Sequence, residues 1–223
     1  MSSKILENIK NYYPEYELFL PLSKCKINFK PFRVKDAKNI AIILQEDNKK
    51  LALNALYEVI KNNTKGINVD NICLAEAEYI FLHIRSKSID ETINVIYDKE
   101  KYVLNISDVS FKNTLKTEVV KINDHIIVEL NFPTLKELLE LEIFDSEHIQ
   151  KATIKKVILN NEIYETKKYV SNEIKELLDN LPISFLKHLD AYISAQPKLH
   201  YKIVLKDGNE KEVSGLLDFF IFR

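Results

Sequence analysis

Lys30-Pro31-Phe32-Arg33-Val34-Lys35-Asp36-Ala37-Lys38 is where the chain changes its period. Upstream, Tyr16 to Phe32 holds Tyr-Glu-Leu-Phe-Leu-Pro and Cys-Lys-Ile-Asn-Phe-Lys-Pro-Phe. These are short alternating runs bounded by prolines, and they predict two short strands or extended arms. Pro31 keeps the chain out of α conformation just before the next element. Downstream, Val34, Ala37, Ala41 and Leu44 recur at helical spacing. After Asp47-Asn48, the positions Leu51, Ala52, Ala55, Leu56, Val59 and Ile60 repeat that spacing more cleanly. Two amphipathic helices joined by a short polar turn predict an antiparallel pair, and Asn62-Asn63-Thr64-Lys65-Gly66 ends the second.

Working outward, a third helix is expected from Leu74 to Arg85, with Leu74, Ala77, Phe81 and Ile84 on one face and Ile80 beside them. It closes on Ala77-Glu78-Tyr79-Ile80-Phe81-Leu82-His83-Ile84-Arg85-Ser86-Lys87-Ser88. Three hairpins follow: Thr92–Tyr97 with Tyr102–Ile106, Val119–Ile122 with Ile126–Phe132, and Thr153–Leu159 with Glu162–Glu165, the last also readable as a helix. Pro133-Thr134-Leu135-Lys136-Glu137 announces a helix through a capping box of Thr134 and Glu137. Val170, Ile174, Leu177, Leu178 and Leu181 make a stripe capped by Ser171, and Pro182 separates it from Phe185, Leu186, Leu189, Tyr192 and Ile193. A strand from Leu199 to Leu205, a turn at Asp207-Gly208-Asn209 and an apolar end at residues 216–222 complete the chain. The fold class expected is α+β, amphipathic helices packed with several antiparallel β-hairpins. No flexible linker interrupts it, so one domain over residues 1–223 is expected, with a lobe boundary near 110–116.

Composition bounds the function. The chain has 223 residues, 46% hydrophobic and 29% charged, as ordinary globular proteins do. A net charge of -1, with lysines interleaved among acids, gives no cationic stripe to displace counterions from nucleic acid. The apolar run Ile40-Ala41-Ile42-Ile43-Leu44 is far short of a membrane span. Residues 1–15 lack an apolar signal core, so a soluble protein made in the cytosol is expected. Arg33, Arg85 and Arg223 are the only arginines, which draws attention to the first two, because a planar guanidinium pairs where an ammonium cannot.

Catalytic signatures are missing. The three glycines are isolated, which excludes a phosphate-cradling loop of the known patterns. The five histidines stand far apart, and Asp145, Glu147 and His148 read as a solvated helix end rather than a metal site. Cys25 and Cys73 are too few for a zinc site and read as free thiols. No Gly-x-Ser-x-Gly elbow occurs, although a hydrolase triad assembled from distant residues stays open. Glu76, Glu78, Arg85 and Lys87 are either an acid/base cluster or, more simply, structural and partner-facing charges. Phe219, Phe220 and Phe222 either complete a core or form an aromatic docking tail.

Two blocks carry a resemblance. A basic residue followed by Pro31-Phe32, then Val34-Lys35-Asp36 and a helix, and later Glu78-Tyr79-Ile80-Phe81-Leu82 with Arg85-Ser86-Lys87-Ser88, resemble the baseplate hub assembly proteins of T-even-like contractile-tailed phages. Ile127 to Thr134 is similar to that family's strand and Pro-Thr element, Glu173 to Pro197 to its two late helices, and Gly215 to Phe220 to its terminal motif. Some relatives carry a cysteine-bearing ribbon after the second block. Thr92 to Ile106 has no cysteine, so no zinc is expected. The resemblance implies a non-enzymatic assembly factor without cofactor, acting in the host cytoplasm during phage assembly, with incorporation in the virion baseplate as the second expected location. Its partners would be other hub or tail proteins, the tape-measure protein among them. A permanent structural subunit of baseplate or tail is the alternative. Pro31, Phe32, Arg33, Lys35, Tyr79, Arg85 and Lys87 form the partner-binding neighbourhood it implies.

Overall fold

The computed structural model describes residues 12–45, 48–169 and 171–214. The fold is α+β, with seven α-helices and twelve strands among the described residues. The chain divides into two compact units, residues 1–112 with 198–223, and residues 113–197.

The first unit opens with β1 (Tyr16–Leu20) and β2 (Cys25–Phe29), an antiparallel pair in which Leu18 faces Ile27. Alternation puts Leu18, Leu20, Ile27 and Phe29 in the core and leaves Glu17, Phe19, Lys26 and Asn28 outside. A 3-10 turn at Val34–Asp36 leads into α1 (Ala37–Gln45), which packs on α2 (Lys49–Asn63). Asn48 caps α2 by accepting from the Leu51 N–H at 3.0 Å. β3 (Thr64–Lys65) then adds to β2.

The stripe expected on the first helix has the wrong phase. Val34 is 93% exposed, Ala37 and Ala41 are exposed, and the inward positions are Asp36, Ile40 and Ile43. The tight turn at Val34–Asp36 changes the angular phase, and the buried position it creates holds a carboxylate that apolar counting passes over. The side chain of Leu44 lies outside the described residues. On α2 the expected face holds except at Leu51, which is half exposed, and Leu53 is buried beside it.

Next comes α3 (Leu74–Ser88), three residues longer than its pattern predicts and buried on more than one side at Ala75, Glu76, Ala77, Ile80, Phe81, Leu82 and Ile84. A helix apolar nearly all round belongs in the middle of its unit, and α3 packs on α2 and on β11 (Lys198–Val204). The hairpin of β4 (Thr92–Tyr97) and β5 (Glu100–Asn105) turns at Asp98-Lys99, both left-handed with φ +50° and +65°. β6 (Ser110–Lys112) pairs with β11, and β12 (Glu210–Ser214) flanks β11 on its other side. The aromatic end at Phe219, Phe220 and Phe222 lies outside the described residues.

The second unit is a four-stranded antiparallel sheet in the order β10-β9-β8-β7, from β7 (Glu118–Lys121), β8 (Ile126–Leu130), β9 (Ile154–Leu159) and β10 (Glu162–Glu165). The segment left open between helix and strand is the β9–β10 hairpin, turning at Asn160-Asn161 with φ +49° and +71°. Four helices accompany the sheet, α4 (Leu135–Glu140), α5 (Ser146–Thr153), α6 (Ser171–Asp179) and α7 (Ile183–Ser194). The core joins Val128, Leu130 and Val157 of the sheet to Phe185, Leu189 and Tyr192 of α7. Phe132 stacks on Tyr192 with centroids 4.5 Å apart. The capping box forms: Glu137 N–H donates to Thr134 Oγ1 at 3.2 Å, and Thr134 N–H to Glu137 Oε2 at 2.8 Å. Ser171 is the first residue of α6 rather than the residue before it, and Val170 lies outside the described residues.

Candidate functional site

The two blocks singled out in the sequence meet in the first unit. Phe32 stands three residues after the end of β2, its N–H donates to Ser88 Oγ at 2.7 Å, and its ring centroid lies 5.3 Å from that of Phe81. Ser88 Oγ in turn donates to the Ile84 carbonyl at 2.6 Å, so one hydroxyl ties the last turn of α3 to the segment before α1. Pro31 beside it is buried.

Arg33 sits on the other side of this segment. Its Nη2 donates to the Asn62 carbonyl at 3.2 Å and to Asn63 Oδ1 at 3.3 Å, both at the end of α2. Its Nε is buried without a hydrogen-bond partner, 3.8 Å from Asp36 Oδ2. Asp36, 2% exposed, accepts from the Arg33 N–H at 2.8 Å. Burying a carboxylate costs several kcal/mol unless it is paired, and this turn pairs it with the Arg33 N–H and guanidinium. Lys35 projects from the same turn and is exposed.

The residues taken from α3 diverge. Tyr79 packs edge-on to His83 at 4.4 Å and against Phe111 of β6 at 5.1 Å, and burial raises the pKa of its hydroxyl. Burial, then the charge of Lys87, pulls His83 down to a pKa of about 4, and its Nε2 is buried without a hydrogen-bond partner. Arg85 Nη1 donates to the Asp90 and Thr92 carbonyls at 3.1 and 3.3 Å, which fixes the start of β4 to α3. Burial lowers the pKa of Arg85. Lys87 pairs with Glu91 and lies 5.5 Å from the Tyr16 ring centroid, and the Glu91 hydrogen bond raises its pKa. Glu76 is fully buried and accepts from the Ser23 N–H at 2.8 Å and from Ser23 Oγ.

The structure therefore joins Phe32 to the end of α3, keeps Arg33 and Lys35 together on one turn, and sends Tyr79, Arg85 and Lys87 to separate contacts. None of these side chains converges with a histidine and an acid in a catalytic arrangement. Asp145 caps α5 by accepting from the His148 N–H at 2.9 Å, and among the described residues no group of three His, Cys, Asp or Glu could hold a metal ion.

A cavity of about 220 Å³ opens beside Arg33. Lys30, Lys65, Glu15 and Asn63 line it with Arg33, over a wall that includes Phe29. Glu15 Oε2 lies 3.7 Å from Lys30 Nζ and 3.3 Å from Lys65 Nζ. Sequence reasoning missed this grouping apart from Arg33, since its members come from the lead into β1, the end of β2 and the α2–β3 junction. The one available signal was the placement of Lys65 next to Gly66, where the chain turns back towards β2 with φ +86° at the glycine.

The pattern of the family described as T4 bacteriophage base plate protein matches residues 13–221. The chain belongs to that family. Membership gives this base plate protein a structural or assembly role in a phage baseplate, with phage structural proteins as its partners. No curated protein and no solved structure matches it. Among the described residues of this base plate protein no helix is long and apolar enough to cross a membrane.

Proposed function

We propose that this base plate protein is a non-enzymatic assembly factor of the baseplate hub, binding hub subunits or the tape-measure protein in the host cytoplasm while the tail is built. The observation that carries the reading is the order of motifs from Pro31-Phe32-Arg33 through Arg85-Ser86-Lys87-Ser88 and Pro133-Thr134 to Gly215, set in a family match that spans nearly the whole chain. The side chains at those motifs hold helix and strand ends in register, which suits a rigid binding body and needs no cofactor. Of the residues implied in binding, Arg33, Lys35 and Lys87 reach the surface and would contact the partner, while Pro31, Phe32, Tyr79 and Arg85 position them.

Deleting the gene from the phage should leave tails without complete baseplates. Mass spectrometry of purified particles and of assembly intermediates then separates the two forms of the role. Presence in intermediates and absence from particles supports the assembly factor, and a fixed copy number in every particle makes the protein a permanent subunit instead. Normal baseplates from the deletion phage would sink both.

A further inference from the structure

We propose that the cavity beside Arg33 is a receptor for a single carboxylate on an acidic segment of a partner protein, and that Glu15 occupies it as an internal placeholder. The proposal rests on the assembly reading above and names the chemistry of its partner.

The group already in the cavity gives the ligand class. Lys30, Arg33 and Lys65 bring three cations to the cavity, Glu15 brings one carboxylate, and Asp36 lies behind the guanidinium at 3.8 Å from Nε. One positive charge is left over. Glu15 already meets the two lysines as a carboxylate, and a partner's carboxylate that replaces it meets the same two cations with the guanidinium beside them. Uncompensated charge beside an apolar wall such as Phe29 is felt more strongly than in open water.

The cations are held unequally. Asn62 and Asn63 fix the Arg33 guanidinium through Nη2, and Nη1 has no partner among the described residues, so one terminal donor is oriented and unused. A preset guanidinium pairs with a carboxylate at little further cost in side-chain freedom. Glu15 by contrast is held loosely. One of its oxygens serves both lysines, at 3.3 and 3.7 Å, longer than the roughly 2.7–2.9 Å of a strong charge-assisted bond. Glu15 belongs to no helix or strand, standing just before β1, so its side chain can yield the place without disturbing the sheet. A partner carboxylate that reaches Arg33 Nη1 as well as the lysines gains a contact that Glu15 does not make.

Full-length protein is titrated by calorimetry with acetylated hexaglutamate amide, and with the hexaglutamine peptide, inorganic phosphate and a short oligothymidylate in parallel. Hexaglutamate should bind and hexaglutamine should not. Glu15→Gln should tighten hexaglutamate binding and Lys65→Gln should weaken it, each by roughly three- to tenfold, with both variants melting where the wild type melts. Equal binding of the two peptides, or no response to Glu15→Gln, overturns the proposal. So does phosphate or oligothymidylate binding as tightly as hexaglutamate. If the peptide fails to bind while the deletion phage still lacks baseplates, the cavity loses its role and the assembly reading stands. If the deletion phage builds normal baseplates, the assembly reading falls whatever the peptide does.

Discussion

Glu76 and His83 stand two turns apart on α3 and make opposite demands on their surroundings. Glu76 meets its cost of burial through Ser23, whose N–H and hydroxyl both reach its carboxylate. Glu76→Gln should cost about 1–3 kcal/mol, because a charge-assisted bond is lost and a buried donor is introduced; urea denaturation measures it. His83 stays neutral because burial and Lys87 hold its pKa near 4. In the unfolded chain a histidine takes up its proton below about pH 6.5. Between pH 6.5 and 4 the unfolded state therefore binds more protons, so stability falls as pH is lowered through that window and this contribution levels off below it. The loss is of the order of 2 kcal/mol once partial contact with water is allowed for. His83→Phe, which keeps an aromatic ring against Tyr79, should flatten that part of the pH dependence relative to the wild type. An unchanged slope would show that carboxylates, not His83, set it.

Turns and caps decide the individual elements. Lys99 holds φ +65° in a two-residue hairpin turn, a conformation that costs a side chain about 1 kcal/mol and glycine almost nothing. Lys99→Gly should therefore raise stability by roughly 0.5–1 kcal/mol, read as a higher melting temperature. Thr134→Ala removes the hydroxyl that accepts from the Glu137 N–H and should cost about 1 kcal/mol. Such elements are legible from sequence because their signals are local: Asp98-Lys99, Asn160-Asn161 and the Thr134–Glu137 spacing each announce themselves within a few residues. The phase of α1 was not, because Asp36 fills an inward position that only its pairing with Arg33 makes tolerable. The candidate site was legible only at Arg33. Lys30 was quoted for its place in the motif, and nothing local in Glu15, Lys65 or Asn63 says that β2 and β3 will bring them to one cavity.

At the scale of the whole molecule, residues 113–197 are inserted between two strands that pair with each other, with Lys112 opposite Lys198. That long-range pairing escapes a sequence reading, since β6 is only three residues long and its partner lies beyond four helices and four strands. Replacing residues 113–197 by an Asn-Gly turn should leave the first unit folded, as the two strand ends are already neighbours. Circular dichroism and a cooperative melt test it, and a chain that no longer unfolds cooperatively would show that the first unit depends on the insert. Two lysines facing each other across a ladder repel, and Glu212 on β12 answers by taking the Lys112 ammonium at 3.0 and 3.1 Å. The pairing also sets how the molecule bears load. Both crossings leave the first unit at the same end of adjacent antiparallel strands, so tension on the insert pulls β6 and β11 the same way and does not slide one past the other. The strain passes to the β11–β12 ladder, whose rungs resist together in shear.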